Sequence, residues 1–276
     1  MLYYYANTGH KIGLERLRRG VALLNSLSAK GVETQFLVND FRAGLVAKDL
    51  GVRDYVTVEG VQDIDAIAEV GNSIIIDSVE DDHGRLVKYC ADFKDVWRFA
   101  HDANDSSVHG ETILGLDTVL VDDTYFEVHD KEERILFFLS DADYDKTILG
   151  NEDFFKAFDM ELLLGNYFFV KYEDDLAKLF STLHEPEEYE NLIKSSSTVV
   201  TASGQTALEA KVSGAKVIYL ALPQRELYEK DLLESYGITV IDGFDIENLI
   251  ESLQNNLSKA GKNIEKIDDK KTLLKQ

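Results

Sequence analysis

Short apolar runs alternate along the chain with segments of helical periodicity, which predicts strands and helices in turn. The predicted strands of the first half are residues 2–6, 34–38, 55–58, 73–77, 96–99 and 118–121. Those of the second half are residues 134–139, 161–164, 198–201, 216–220 and 239–241. The predicted helices are residues 13–30, 42–50, 64–70, 176–183, 205–213, 226–236 and 246–257. Continuously apolar strands between helices are typical of parallel sheets covered on both faces, so we predict an α/β fold.

The polar segment "EVHDKEE", residues 127–133, separates two such strand–helix arrays near the middle of the chain. It predicts two Rossmann-like domains facing a cleft, residues 1–130 and 131–276. Ligands of open parallel sheets bind beyond the carboxyl ends of the strands. Asp77, at the end of "SIIIDS", lies at such a position, although it can equally cap the next helix.

The charge and composition of the chain disfavour some classes of binding partner and indicate the cellular compartment. The chain has 276 residues, 45% of them hydrophobic, and 51 acidic against 29 basic residues give a net charge of −22. Such a surface disfavours nucleic acid and anionic lipid, which bind clustered Lys and Arg. The single cysteine, Cys90, excludes an internal disulfide and suits a reducing compartment. No apolar stretch has the length of a membrane span and residues 1–11 lack a signal-peptide pattern, so we expect a cytoplasmic protein without membrane insertion.

The clearest candidate binding loop lies in the second half, where "TASGQTALEAK" follows a predicted strand and opens a helix. The free backbone N–H groups at such a helix start attract an anion. Four small or polar residues stand there: Ser203, Gly204, Gln205 and Thr206. Glu209, one turn later, can accept hydrogen bonds from a ribose diol. The alternative is structural: Ser203 caps the helix and Glu209 complements the helix dipole.

The stretch "NTGHKIGLERLRRG", residues 7–20, joins the first strand to the first helix and is the second candidate. Its cations, Lys11, Arg16, Arg18 and Arg19, form the densest positive patch of an acidic chain and favour an anionic ligand. His10 is a candidate base, because an imidazole titrates near neutral pH. The alternatives are a solvated helix face and a surface histidine. Helical spacing places Arg16 and Arg19 opposite the apolar face of this helix.

Two acidic sets raise the question of a metal. The strand "ILFF" is followed by Asp141, Asp143 and Asp145, and a D-x-D pattern can hold Mg²⁺ or Mn²⁺. The alternative is a solvated acidic turn. A second set, in "FAHDANDSSVHG", comprises His101, Asp102, Asp105 and His109. Its spacing matches no metal signature, so we expect a polar loop.

The chain resembles the UDP-2,4-diacetamido-2,4,6-trideoxy-L-altropyranose hydrolase family of pseudaminic acid biosynthesis, a relative of GT-B and MurG-type glycosyltransferases. Two stretches carry the resemblance, "TASGQTALEAKVSGAKVIYLALPQ" and "KIGLERLRRGVALLNSL". It implies a GT-B-like fold whose C-terminal domain binds UDP. It also implies that Ser203, Gly204, Thr206 and Glu209 contact the UDP and that Gln224 lies near the sugar and phosphates.

The chain departs from the family pattern G-x-G-H-x-x-R at the position of the histidine, which is the catalytic residue of that family. An ungapped match places Gly13 on the first glycine, Glu15 on the second and Arg19 on the arginine. Arg16 then occupies the place of the catalytic histidine. An arginine stays protonated and cannot accept a proton, but it can neutralise a diphosphate. At a second departure, Ser140 and Asp141 replace a Gly-Gly pair.

These patterns favour an enzyme that hydrolyses or transfers a UDP-sugar in bacterial surface or flagellar glycan synthesis, with no cofactor or metal required. His10 is the expected base, and Arg16 and Arg19 are the expected anion-stabilising groups. One alternative is a nucleotide-sugar-binding or regulatory protein that has lost catalysis. The other is a metal-dependent transferase or phosphatase that uses Asp141 and Asp143.

Overall fold

The computed structural model describes residues 1–223, 227–255 and 261–269, and these residues form two compact units. The first unit comprises Met1–Gly9, Arg16–Asp123 and the described tail residues 266–269. The second comprises the described residues of Thr124–Glu265 together with the segment His10–Glu15. The division between Asp123 and Thr124 lies a few residues before the predicted boundary at residue 130.

A parallel six-stranded sheet with the strand order β3-β2-β1-β4-β5-β6 forms the centre of the first unit. Its strands are β1 (Leu2–Ala6), β2 (Thr34–Val38), β3 (Tyr55–Thr57), β4 (Ser73–Asp77), β5 (Asp95–Phe99) and β6 (Thr112–Leu114). Its helices are α1 (Glu15–Ala29), α2 (Phe41–Asp49) and α3 (Arg85–Asp92), with 3₁₀ helices at Val61–Ala66 and Ile267–Asp269.

Local side chains explain how these helices begin and pack. Asp40 caps α2 by accepting a 2.8 Å hydrogen bond from the backbone N–H of Arg42. Gly20 of α1 lies directly on the buried ring of Tyr4, and a Cβ atom at Gly20 would lie 2.7 Å from that ring. The close approach of α1 to the sheet therefore requires a glycine at position 20.

The second unit repeats the plan with the strand order β12-β11-β10-β7-β8-β9, again all parallel. Its strands are β7 (Glu132–Phe138), β8 (Glu161–Leu163), β9 (Thr182–His184), β10 (Ser196–Thr201), β11 (Lys216–Ala221) and β12 (Thr239–Asp242). Its helices are α4 (Thr147–Gly150), α5 (Glu152–Lys156), α6 (Val170–Leu176), α7 (Tyr189–Ser195), α8 (Gly204–Val212), α9 (Lys230–Ser235) and α10 (Ile246–Gln254). Short 3₁₀ helices lie at Asp123–Phe126, where the two units divide, and at Pro186–Glu188.

An aromatic core fastens the helices of the second unit to one face of its sheet. Phe137 of β7 stacks on Phe180 with ring centroids 5.8 Å apart, and Phe155 of α5 lies 4.9 Å from Phe137. All three side chains are buried in one cluster with Leu162 of β8 and Val200 of β10. This packing holds β7, β8 and β10, whose carboxyl ends carry the candidate loops, in one rigid frame.

Three sequence predictions are wrong in detail. Residues 118–121 are irregular although Val119, Leu120 and Val121 are buried, because an apolar run can pack into a core without pairing. The predicted helix at residues 176–183 is the end of α6 followed by β9. The predicted helix at residues 64–70 is replaced by the 3₁₀ helix Val61–Ala66.

Parts of two predicted helices, residue 226 and residues 256–257, lie outside the described residues, as does Gln224. None of the helices within the described ranges is both long enough and apolar enough to cross a membrane.

Candidate functional site

The predicted binding loop lies at the carboxyl end of β10, a central strand of the second unit. Ser203 is the N-cap of α8, and its hydroxyl accepts a 3.2 Å hydrogen bond from the backbone N–H of Thr206. The Thr206 hydroxyl lies 2.8 Å from the same oxygen, and the backbone N–H of Ser203 donates to Thr201 Oγ1 at 3.0 Å. Ser203 therefore has the capping role of the structural alternative, in a loop of small residues.

Glu209 lies inside a buried hydrogen-bond network on the first turns of α8. Its side chain is 2% exposed, and its two oxygens accept hydrogen bonds from the Tyr189 hydroxyl at 2.6 Å and from Gln205 Nε2 at 2.9 Å. The Tyr228 hydroxyl donates to Gln205 Oε1 at 2.9 Å, and Thr206 Oγ1 lies 2.7 Å from the Tyr189 hydroxyl. A ribose can reach Glu209 only if this network opens, so the expected ribose contact stays a prediction.

The N-terminus of α8 already has a carboxylate beside it. The backbone N–H of Gln205 donates to Glu15 Oε1 over 3.4 Å, within the second unit. The Tyr228 ring covers Gly204, where an added Cβ would lie 3.1 Å from Tyr228 Cδ2. Helix N-termini stabilise nearby negative charge, so Glu15 occupies the kind of position expected of a ligand phosphate.

Asp143, in the loop after β7, has a structural role that its sequence did not reveal. Its carboxylate accepts hydrogen bonds from the backbone N–H groups of Thr147 at 2.6 Å and Ile148 at 3.2 Å, and from the Tyr172 hydroxyl at 2.5 Å. Asp143 thereby provides acceptors for backbone N–H groups of the first turn of α4, which have no partner within the helix. The residue is 5% exposed. The expectation of a solvated acidic turn is wrong for this residue and holds for the exposed Asp145.

Asp141 joins the loops after β7 and β8. Its Oδ1 accepts a 2.7 Å hydrogen bond from Asn166 Nδ2, and its carbonyl accepts one from the Tyr167 N–H at 2.9 Å. The side chain is 1% exposed. Among the described residues, no group of three His, Cys, Asp or Glu side chains is arranged to hold a metal. The metal interpretation of Asp141 and Asp143 therefore lacks a ligand set and is not supported.

His10 lies on aromatic side chains of the second unit. Its ring centroid is 4.6 Å from that of Tyr167 and 6.1 Å from that of Phe169, with the latter ring nearly parallel. Lys11 Nζ lies 5.0 Å from the Tyr144 ring centroid. Gly13 lies nearby, because an added Cβ there would be 3.9 Å from Asp141. The structure thus groups His10, Lys11 and Gly13 with the loops after β7 and β8.

Arg16 and Arg19 belong instead to a buried charge cluster in the first unit. Arg19 donates to both oxygens of Asp77 at 2.5 Å, and its guanidinium carbon lies 3.6 Å from the Phe99 ring centroid. The Tyr4 hydroxyl donates to the same carboxylate at 2.8 Å, and Arg16 Nε lies 3.4 Å from it. The expectation that Arg19 lies on the polar face of α1 is wrong, since its side chain is 5% exposed.

The predicted positive patch is therefore divided. Lys11 is exposed in the second unit, whereas Arg18 and Arg19 are buried in the first. The Arg16 side chain, 17% exposed, is paired with Asp77 and remains accessible at one edge. Helical spacing could not reveal this division, because the partner Asp77 lies at the end of β4, 58 residues beyond Arg19.

The polar loop after β5 is built around Arg98. Arg98 donates to Asp105 at 2.5 and 2.9 Å and lies 3.4 Å from Glu111. The hydrogen bonds from Arg98 are the largest of the effects that hold the pKa of Asp105 well below its ordinary value. Burial would raise the pKa of Glu111, but hydrogen bonds from the N–H groups of Val108 and His109, with help from Arg98, outweigh it and lower the pKa. This loop is polar, as expected.

Comparison with known proteins establishes the fold. No family model and no curated protein matches the sequence. The UDP-GlcNAc 2-epimerase of Methanocaldococcus jannaschii is similar in structure with a TM-score of 0.54 and 13% identity, over 95% of this chain and 94% of that chain. An E. coli heptosyltransferase with ADP-2-deoxy-2-fluoro heptose has a TM-score of 0.51 and 12% identity, over 92% of this chain and 100% of that chain.

The Methanocaldococcus epimerase in complex with UDP-GlcNAc and UDP has a TM-score of 0.50 and 11% identity, over 92% of both chains. At such identities the likeness shows the fold alone. The predicted α/β class with two Rossmann-like domains of the GT-B type is confirmed.

Proposed function

We propose that this protein is an enzyme that binds a UDP-sugar and breaks the bond between the anomeric carbon and the diphosphate, by hydrolysis or by transfer. One observation carries the proposal. At the start of α8, beyond the central strand β10, the backbone N–H of Gln205 donates a hydrogen bond to the carboxylate of Glu15. The backbone N–H group and the helix dipole that face the Glu15 carboxylate can act on a diphosphate in the same way.

The ligands of the structural neighbours support a nucleotide-sugar. One neighbour holds ADP-2-deoxy-2-fluoro heptose, and another holds UDP-GlcNAc and UDP. With a net charge of −22, the chain needs a local site of this kind to retain an anion. The resemblance to the altropyranose hydrolase family favours UDP as the nucleotide and bacterial surface-glycan synthesis of the pseudaminic acid type as the setting.

The proposed division of labour follows the two units. The second unit binds the nucleotide, with Ser203, Gly204 and Thr206 at the diphosphate, once Glu15 has moved aside. The network of Gln205 and Glu209 then opens toward the ribose. The first unit, in which Arg16 is paired with Asp77, binds the sugar or acceptor.

Two assays on the wild-type protein test this proposal. UDP should raise the melting temperature, because a ligand at about 100 times its Kd adds roughly 2.7 kcal/mol of stability. UDP release should then be measured from UDP-GlcNAc and from UDP-2,4-diacetamido-2,4,6-trideoxy-L-altropyranose. Release of UDP from either compound is the expected result. A protein that neither UDP nor a UDP-sugar stabilises at millimolar concentration would contradict the proposal.

A second candidate, a nucleotide-sugar-binding protein without turnover, is favoured by one observation. Arg16, at the place of the family histidine, cannot accept a proton, and it is paired with Asp77. Stabilisation by UDP with no UDP release from any UDP-sugar, at any enzyme concentration, would establish this candidate in place of the enzyme.

A further inference from the structure

The carboxyl edge of the second sheet carries an aromatic platform that consists of His10, Tyr167 and Phe169. The His10 ring centroid lies 4.6 Å from that of Tyr167 and 6.1 Å from that of Phe169, whose ring plane is inclined by 11° to the imidazole. Tyr167 and Phe169 follow β8, and all three residues belong to the second unit. Ligands of open α/β sheets bind at this edge, so the platform lies where a ligand is expected.

Phe169 contributes little to the folding of its own segment. It is the N-cap of α6, but its side chain makes no capping hydrogen bond, and serine, threonine, aspartate or asparagine is the usual residue at that position. Phe169 is 56% exposed, whereas Tyr167 is 3% exposed. A ring that neither caps a helix nor lies in the core leaves much of its surface available to a ligand.

The contacts of the platform suit a flat conjugated ligand. His10 and Phe169 are stacked nearly in parallel, which is one of the arrangements that aromatic rings prefer. A nucleobase placed on Phe169 can stack in the same way, and such stacking contributes to affinity because every base has a π-face. A sugar needs hydrogen-bond partners for its hydroxyl groups, so a surface made mainly of ring faces matches the base of a nucleotide better than its sugar.

Lys11 brings a positive charge to the rim of the platform. It follows His10 in the chain and is exposed, and its Nζ lies 5.0 Å from the ring centroid of Tyr144, which is 52% exposed. The edge of a uracil ring carries carbonyl oxygens that accept hydrogen bonds, and an ammonium group only donates them. The charge at the rim therefore complements the edge of a uracil ring.

The segment His10–Glu15 connects the platform to the start of α8 within the second unit. At one end His10 belongs to the platform, and at the other Glu15 accepts the hydrogen bond from the backbone N–H of Gln205. Five residues of fully extended chain span at most about 18 Å. Residues 10–12 form a turn, so the actual separation is shorter. The platform and the proposed diphosphate site are thus close enough to belong to one nucleotide site.

We propose that the aromatic platform binds the base of the nucleotide, with the uracil ring stacked on Phe169 and Lys11 at its carbonyl edge, a proposal that rests on the proposed function. The start of α8 binds the diphosphate, and the platform binds the other end of the nucleotide. Phe169 then contributes affinity for the base and none for the diphosphate.

Isothermal titration of the full chain and its variants tests this division. Phe169→Ala should weaken UDP binding by about 5- to 150-fold, the usual effect of removing one aromatic ring from beneath a base. Inorganic pyrophosphate has no base, so its affinity should be the same for the wild type and for Phe169→Ala. Phe169→Trp should bind UDP at least as tightly as the wild type. The matched control is Phe41→Ala, at a phenylalanine of the first unit that is 64% exposed, which should leave UDP affinity unchanged.

Proton NMR gives a second readout that a merely structural role of Phe169 would not move. The H5 and H6 protons of the bound uracil should shift upfield, because they lie over an aromatic ring, and the shift should shrink in Phe169→Ala.

Unchanged UDP affinity in Phe169→Ala would overturn the platform and leave the diphosphate site intact. Equal weakening of UDP and pyrophosphate would overturn it too, because the substitution would then have disturbed the helix start. Weaker binding of UDP-GlcNAc with unchanged binding of UDP would assign the platform to the sugar and overturn the assignment to the base. Absence of UDP binding by the wild type would remove the proposed function itself.

Discussion

Asp77 shows how one buried carboxylate organises a charge cluster at the end of β4. It is 0% exposed, and Arg19, Arg16 and Tyr4 surround it. Removal of one partner from a buried pair leaves the other charge without compensation, which is far more costly than loss of a surface pair.

We predict that Arg19→Met lowers the free energy of unfolding by about 3–5 kcal/mol. Urea denaturation of the wild type and the variant measures the change. The control is Arg53→Met, at an exposed arginine, which should change stability by less than about 0.5 kcal/mol. Equal stability of Arg19→Met and Arg53→Met would show that the ion pair with Asp77 contributes nothing.

The carboxylate of Asp105 makes the stability of its loop depend on pH. Its pKa in the folded protein is below the ordinary value of 3.8, chiefly through Arg98. A lowered pKa means that the stabilising effect is fully present above the unfolded value and is lost as the pH falls through the folded value. The pair with Arg98 therefore weakens only in acid.

We predict that the stability difference between the wild type and Asp105→Asn is constant from neutral pH down to 3.8 and shrinks below it. Urea denaturation at a series of pH values measures the difference. The exposed Asp54, changed to Asn, is the control and should show a much smaller difference at neutral pH. A difference for Asp105→Asn that grows in acid would contradict the assignment.

At the scale of elements, the loops after β7 and β8 approach each other too closely for a side chain at position 165. A Cβ atom on Gly165 would lie 2.5 Å from the carbonyl oxygen of Ser140 and 2.7 Å from the backbone of Asp141. These are backbone atoms, so relief requires movement of the loop that carries Asp141.

We predict that Gly165→Ala destabilises the protein by about 1–3 kcal/mol, the usual effect of overpacking. Gly150→Ala is the matched control, because an added Cβ there meets nothing within 4 Å. Thermal unfolding of both variants measures the contrast. If the two alanines had equal effects, the close approach of the two loops would not be a feature of the folded protein.

The start of α8 predicts an effect of Glu15 on ligand affinity. Its carboxylate lies 3.4 Å from the Gln205 nitrogen, where the proposed diphosphate needs the same donor. Glu15→Gln removes the competing charge and should tighten UDP binding by about 5-fold, near the 1 kcal/mol typical of a charge at a helix N-terminus. Glu33→Gln, at an exposed glutamate, should leave the affinity unchanged. Weaker UDP binding in Glu15→Gln would contradict the competition.

Element positions could be predicted wherever an apolar run was long and continuous. The predicted strands at residues 2–6, 34–38 and 73–77 coincide with β1, β2 and β4. The strands β6 and β9 were not predicted, and residues 182–183 of β9 fell within a predicted helix because they also fit a helical pattern. The pattern of apolar positions reports burial, and burial alone does not distinguish a paired strand from an irregular buried segment such as residues 118–121.

For the whole molecule, the alternation of strands and helices was sufficient to predict the fold class, and the structural likenesses confirm it. The candidate site could be predicted only at α8, where small and polar residues stand between an apolar strand and a helix in the sequence itself. The hydrogen bonds from Tyr189 to Glu209 and from Tyr228 to Gln205 could not be predicted, because each joins residues that are about twenty positions apart along the chain. The contacts of Arg19 with Asp77 and of His101 with Ser78 could not be predicted either, because the two residues of each pair are far apart in the sequence and meet only in the folded chain.

Isothermal titration of the wild-type protein with UDP and with uridine tests whether the start of α8 binds the diphosphate of a UDP-sugar. We expect saturable binding of one UDP per chain and much weaker binding of uridine, because the helix N-terminus acts on the diphosphate. No heat from UDP at millimolar concentration, or equal affinities for UDP and uridine, would contradict it.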